Sequence, residues 1–138
     1  MSNCYEQSIN IPPTPLRHFV ILEHTGSAAY KPGVHWDLLC EEGETLRAWE
    51  FPESPFAVLR QTVTALPPHR LIYLDYQGPI SGDRGTVRRV AAGTFELLSE
   101  SPTEWIALLH GEAIQAQLRL SCHSPGEMKW EAILSPVA

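Results

Sequence analysis

From Ala113 to Cys122 the chain alternates without a break: Ile114, Ala116, Leu118, Leu120 and Cys122 share one parity, and Gln115, Gln117, Arg119 and Ser121 take the other. Successive side chains of an extended strand point to opposite faces, so this pattern specifies an antiparallel strand with one face buried and one in water. Shorter segments of strand-forming residues precede and follow it. They cover His18–His24, Val34–Cys40, Thr45–Phe51, Leu71–Gln77, Thr86–Val90, Gly93–Leu98, Trp105–Leu109 and Met128–Leu134, and most are bounded by Gly, Pro or Ser. Glu41-Glu42-Gly43-Glu44 reads as the turn of a hairpin that makes Val34–Cys40 and Thr45–Phe51 antiparallel neighbours. Thr25–Gly33, with two glycines and Pro32, reads as a loop that leaves His24 at a strand end. Phe56–Leu66 stays open between a helical turn at Ala57–Gln61 and a strand through Thr62–Thr64. No segment carries a long helical period, and a sheet of many short strands leaves unpaired backbone at its edges unless it closes. The fold expected is all-β: a small antiparallel β-barrel or closed sandwich with at most short helical turns.

The chain has 138 residues, 43% of them hydrophobic, which suits one domain with a sizeable core. Residues 1–16 contain Pro12, Pro13 and Pro15 and little periodicity, so an extended arm is expected there and a single domain over 17–138. No apolar run approaches the ~20 residues that span a bilayer, and the first residues lack a basic start and an apolar stretch. The expectation is a soluble, cytoplasmic monomer with no membrane partner. Cys4, Cys40 and Cys122 are odd in number and fit no zinc-ligand spacing, which leaves them as ordinary reduced thiols. A formal net charge of −6 argues against an extended grip on nucleic acid, whose non-specific binding depends on many Lys and Arg contacts, but not against binding one phosphate or one strand end. The local basic cluster Arg84, Arg88 and Arg89 reads either as a solvated strand end or as a phosphate contact.

Polar residues placed on apolar strands point to chemistry. His35 and Asp37 share a strand face, and His24 ends the preceding strand. Two imidazoles and a carboxylate converging on one point would hold a divalent metal, although spacing leaves open whether the strands bring them together. His69 and Tyr73 fall on one parity of the segment His69–Gln77. The alternative for each is an ordinary packed or surface side chain.

The order of these residues resembles the 3′-phosphoesterase domain of bacterial DNA ligase D, which also exists as small stand-alone proteins. The resemblance runs from about Arg17 to Leu134. It rests on His18-Phe19-Val20-Ile21-Leu22-Glu23-His24, His35-Trp36-Asp37, Leu46-Arg47-Ala48-Trp49-Glu50-Phe51-Pro52, His69 to Gly78, Gly85-Thr86-Val87 and Gly93-Thr94-Phe95-Glu96. It implies a β-barrel and a metal bound by His24, His35 and Asp37, manganese by preference, with zinc compatible with the same donors. It implies His69 and Tyr73 as catalytic residues that engage phosphate; Arg84 and Arg88, from the local basic cluster, are further candidates for phosphate binding. The implied reaction removes a terminal 3′-phosphate or a 3′ ribonucleotide from DNA in repair. The implied partners are DNA 3′ ends and an associated DNA ligase or repair polymerase.

The chain departs from that pattern in three places. The arginine expected two residues after the metal-binding aspartate is Leu39, Glu53 stands where a lysine follows the Trp-x-x-Pro stretch, and the loop after Gly78 is short. Leu39 shares its strand parity with His35 and Asp37, so an arginine there would be expected to reach a phosphate held at the metal. Two other functions stay open: a non-catalytic metal- or phosphate-binding module in DNA repair, which the lost arginine and the acidic balance motivate, or a phosphoesterase acting on a small phosphorylated metabolite, which the low positive charge allows.

Overall fold

The computed structural model describes residues 16–137. The arm expected over 1–16 lies outside the described residues, apart from Leu16. Nine strands form one antiparallel sheet: β1 (Arg17–Ser27), β2 (Tyr30–Glu42), β3 (Thr45–Phe51), β4 (Arg60–Arg70), β5 (Gly78–Pro79), β6 (Thr86–Ser101), β7 (Glu104–Gly111), β8 (Gln115–Ser121) and β9 (Lys129–Pro136). The order is β1-β2-β3-β4-β9-β8-β7-β6, and β6 pairs back with β1, closing the ring; β5 pairs with the first residues of β6. The barrel expected from the alternating segments is the fold observed. Closure removes the unpaired edges that a sheet of this size would otherwise expose.

Alternation decides which residues fill the barrel. Phe19 and Ile21 of β1, Leu38 and Cys40 of β2, Trp49 and Phe51 of β3, and Leu118 and Leu120 of β8 all belong to the interior core. At its centre Trp49 packs edge-on against Trp130 with ring centroids 4.9 Å apart, and tilted against Trp105 at 6.3 Å. Aromatic pairs in such arrangements add about 0.5–1.5 kcal/mol each beyond the area they bury. The opposite parity builds a second, outer cluster from Val20, Leu22, Leu39, Leu46, Ala48 and Val87. It is covered from outside by Tyr73, Leu74, Tyr76 and Ile80, which lie on the segment linking β4 to β6.

Several local readings of the sequence change. The expected loop Thr25–Gly33 is a hairpin in which β1 runs on to Ser27 and β2 starts at Tyr30, so His24 lies within a strand and not at its end. Pro32 and Gly33 are accommodated because they fall in the irregularity between the Thr25↔Val34 and Ser27↔Tyr30 pairs. Leu71–Gln77, expected as a strand, is a 3-10 turn over Leu71–Leu74 followed by irregular chain. The aromatic and β-branched content that suggested a strand here instead caps the outer cluster. The open segment 56–66 resolves as turn and then strand, with β4 starting at Arg60. Thr86–Val90 and Gly93–Leu98 are one strand, interrupted by a register shift opposite Ile21/Leu22.

Candidate metal centre

The antiparallel register of β1 and β2 sets His24 directly opposite His35, and Asp37 follows two residues on along the same face. All three have the parity of Val20, Leu22 and Leu39, so they project from the outer wall of the barrel and not into its core. The His24 and His35 rings lie 4.6 Å apart between centroids. His24 Nδ1 is 3.8 Å from Asp37 Oδ2, and His35 Nε2 is 3.4 Å from Asp37 Oδ1. One ligand atom from each residue falls within 4.8 Å of the others.

These polar groups are buried, at 8% exposure for His24, 9% for His35 and 6% for Asp37. Asp37 Oδ1 is nevertheless without a hydrogen-bond partner. A buried carboxylate oxygen left unsatisfied is costly, and a bound cation is one species that would satisfy it. The donor set of two imidazoles and one carboxylate suits manganese, iron or zinc. His24 supports this fit from its other side: its Nε2–H donates to the Arg84 carbonyl at 2.7 Å, leaving the Nδ1 lone pair on the side of Asp37. A metal-binding imidazole is held in this way, with one nitrogen fixed by a backbone acceptor and the other free to coordinate.

Charge is shared within the group. The Asp37 carboxylate raises the pKa of His24 above its ordinary value, against the opposing effect of burial, and the Arg84 carbonyl adds to the rise. Burial pushes the Asp37 carboxyl up, but the two imidazoles together outweigh it and hold the group below the ordinary carboxylate range. An anionic carboxylate beside two nitrogen donors is the state that a divalent ion would meet.

The site opens into a cleft of about 490 Å³. His69, at the end of β4, and Tyr73, in the 3-10 turn, form part of its lining, with ring centroids 6.1 Å apart in an edge-on arrangement. His69 Nδ1–H donates to the Pro67 carbonyl at 3.0 Å, so Nε2 is the unpaired nitrogen of a ring that borders the cleft. The fold therefore gathers His24, His35, Asp37, His69 and Tyr73 around one cavity. The two candidate arginines fare differently. Arg84 lines the cleft, but its guanidinium turns back onto Ser81, with Nε 2.6 Å from the Ser81 carbonyl oxygen. Arg88 pairs with Glu23 at 3.1 Å and is not part of the cleft lining.

Leu39 shares the face of His35 and Asp37, as its parity requires, but it is 0% exposed within the outer cluster. The position where an arginine was expected to reach phosphate is a packing position here.

Among the lining residues not singled out from sequence are Glu50 and Lys31. Glu50 stands opposite Asp37 in the β2–β3 register, with Oε1 3.8 Å from His35 Nε2. Counting outward from the turn at Gly43 would have placed it there. Lys31, in the hairpin read as a loop, bonds the same Glu50 oxygen through Nζ at 2.7 Å. No residue pattern marks Lys31, because its position depends on the path of that hairpin. No helix among the described residues is long and apolar enough to cross a membrane. Neither a protein-family model nor a curated protein matches this chain.

Proposed function

We propose that this chain is a divalent-metal-dependent phosphoesterase acting on DNA 3′ ends, where it removes a terminal phosphate or a ribonucleotide in repair. The observation that carries the reading is the buried trio of His24, His35 and Asp37, with an unsatisfied carboxylate oxygen, opening onto the cleft that also holds His69 and Tyr73. His24 through Nδ1, His35 through Nε2 and Asp37 through its carboxylate would hold the ion. A divalent ion in such a site lowers the pKa of a bound water and polarises a phosphoryl oxygen. The Arg84 carbonyl keeps His24 in the tautomer that offers Nδ1.

His69 is suited to protonating the leaving 3′ oxygen. Its Nδ1–H is anchored on Pro67, and a protonated ring donates from Nε2. Tyr73 is packed edge-on against both His69 and Tyr76, which restricts its ring, and its phenol would be a donor for phosphate in the cleft it lines. The acidic overall balance confines the grip to the terminus of a strand. Manganese is the metal expected from the family resemblance, and zinc is the alternative that the same donors allow.

The decisive experiment incubates the purified protein and manganese with end-labelled primer-templates carrying a 3′-phosphate or a 3′ ribonucleotide, beside a panel of small phosphoesters. Release of phosphate or nucleoside from the DNA ends, lost in Asp37→Ala, is the expected result. Turnover confined to small phosphoesters would redirect the substrate to a metabolite. Metal-loaded protein that turns over neither would leave a binding module.

A further inference from the structure

The position where the resemblance calls for an arginine is sealed in packing, so a side-chain cation for a phosphate at the trio would have to come from another element. We propose that Lys31 is that cation, and that Glu50 holds its ammonium beside the metal-binding residues until an anionic phosphate displaces the carboxylate. The assignment rests on the phosphoesterase reading above and names the residue that binds the substrate phosphate.

Four observations support it. A single oxygen, Glu50 Oε1, lies 2.7 Å from Lys31 Nζ and 3.8 Å from His35 Nε2, so the ammonium stands one carboxylate oxygen away from the metal-binding imidazole. Lys31 and Glu50 both line the cleft shared by the trio, His69 and Tyr73. The Lys31 backbone has a φ of 44°, a left-handed conformation that non-glycine residues rarely adopt and that the surrounding structure must impose. Gly26 contributes to this, since a Cβ there would lie 1.7 Å from the Lys31 carbonyl oxygen, so the backbones approach closely enough to fix where Lys31 begins.

The other cations at the cleft are less well placed. Arg84 is turned back onto Ser81 through both Nε and a terminal nitrogen. Arg70 borders the cleft but follows His69 in β4, on the opposite strand parity. Asp37 and Glu50 are directly opposed across β2 and β3, an arrangement of like charges that calls for positive charge nearby. Lys31 neutralises Glu50, and a divalent ion held by the trio would neutralise Asp37. Arrival of phosphate supplies Lys31 with an alternative anion and leaves Glu50 beside the metal-binding group.

This exchange makes the two halves of the ion pair act with opposite sign, which a purely structural ion pair would not do. Titration of the manganese-loaded protein with inorganic phosphate, followed by calorimetry, reads the difference. Lys31→Met should weaken phosphate binding about ten- to hundredfold, the range set by losing one charge-assisted hydrogen bond. Lys31→Arg should restore most of it. Glu50→Gln should bind phosphate more tightly than the natural protein, because the competing carboxylate is gone. Thermal melts and manganese titrations of each variant establish that fold and metal site are intact.

Equal weakening in Lys31→Met and Glu50→Gln would reduce the pair to a structural role and overturn the proposal. So would loss of phosphate binding in Arg70→Met but not in Lys31→Met. Failure of the broader reading looks different: phosphate binding would depend on Lys31 while no 3′ end is processed. If instead the natural protein and Lys31→Met process 3′-phosphate ends with the same KM and kcat, the phosphoesterase reading stands and the Lys31 assignment falls.

Discussion

At the scale of single residues, a metal at the trio would compete with a proton. Asp37 raises the pKa of His24 above 6.5, so the proton competing for Nδ1 is held more tightly than on a free imidazole. Metal affinity should therefore climb as pH rises through 6.5 and beyond, and level off once the imidazole is neutral. In Asp37→Asn the largest upward push on His24 is gone, so the midpoint of this rise should move to lower pH while the limiting affinity falls at least tenfold, by about 1.4 kcal/mol or more. Zinc titrations at several values between about pH 5 and 8 would check both effects. An affinity that is flat across that range would rule out His24 as a ligand.

Leu39 yields a second residue-scale prediction. A guanidinium forced into the outer cluster would be packed among Val20, Leu22, Leu46, Ala48 and Val87. Leu39→Arg is expected to lose about 3–5 kcal/mol of stability, the cost typical of an uncompensated buried charge, without any gain in activity. Denaturant unfolding measures it, and a variant as stable as the natural protein would show that the side chain escapes to the cleft.

At the scale of elements, the turn between β5 and β6 backs the His24 ring, through the Arg84 carbonyl. Gly85 has a φ of 90°, and a Cβ there would meet the Thr25 carbonyl oxygen at 2.0 Å. This contact keeps the neighbouring Arg84 carbonyl against His24 Nε2. Gly85→Ala should cost about 1–3 kcal/mol through the left-handed backbone and the collision. It should also weaken metal binding, although residue 85 contributes no ligand. Melting curves and metal titrations test the two consequences separately, and undiminished metal affinity would mean that the carbonyl does not orient His24.

The same elements show what sequence could and could not reveal. Ile114, Ala116, Leu118 and Leu120 announced β8 and its buried face because alternation is a local property. His35 and Asp37 were legible as a pair for the same reason. The meeting of His24 with His35 was not, because it depends on how β1 and β2 pair, and Gly26, Pro32 and Gly33 made that connection look like a loop. His69 and Tyr73 reached the cleft by a different route from the one their parity suggested, through the turn at Leu71–Leu74. Arg88 faces Glu23 because the register of β1 and β6 sets those two residues opposite each other, a partnership invisible in the local sequence.

At the scale of the whole molecule, the charge balance limits what the cleft can grip. With a net charge of −6, few cations are available to follow a DNA backbone away from the site. The affinity for a 3′-phosphate end should fall only weakly with salt, with a slope of about −1 to −2 in log K against log salt, as expected for one or two phosphates neutralised. Lengthening the duplex beyond the terminal nucleotides should add little. Fluorescence anisotropy on oligonucleotides of increasing length would measure both, and a slope several times steeper would reveal a basic track elsewhere.

The trio projects from the outside of a barrel whose inside is filled by Trp49, Trp105 and Trp130. Along β2 the two roles interleave, with His35, Asp37 and Leu39 outward and Leu38 and Cys40 inward. Selection can therefore rewrite the outward letters of a strand while leaving the inward ones untouched. A lineage of such barrels could lose a clamp at one outward position, recruit a replacement from a hairpin, or discard the metal altogether. The fold would persist through each change, and descent would be recorded inside the barrel while vocation was renegotiated on its surface.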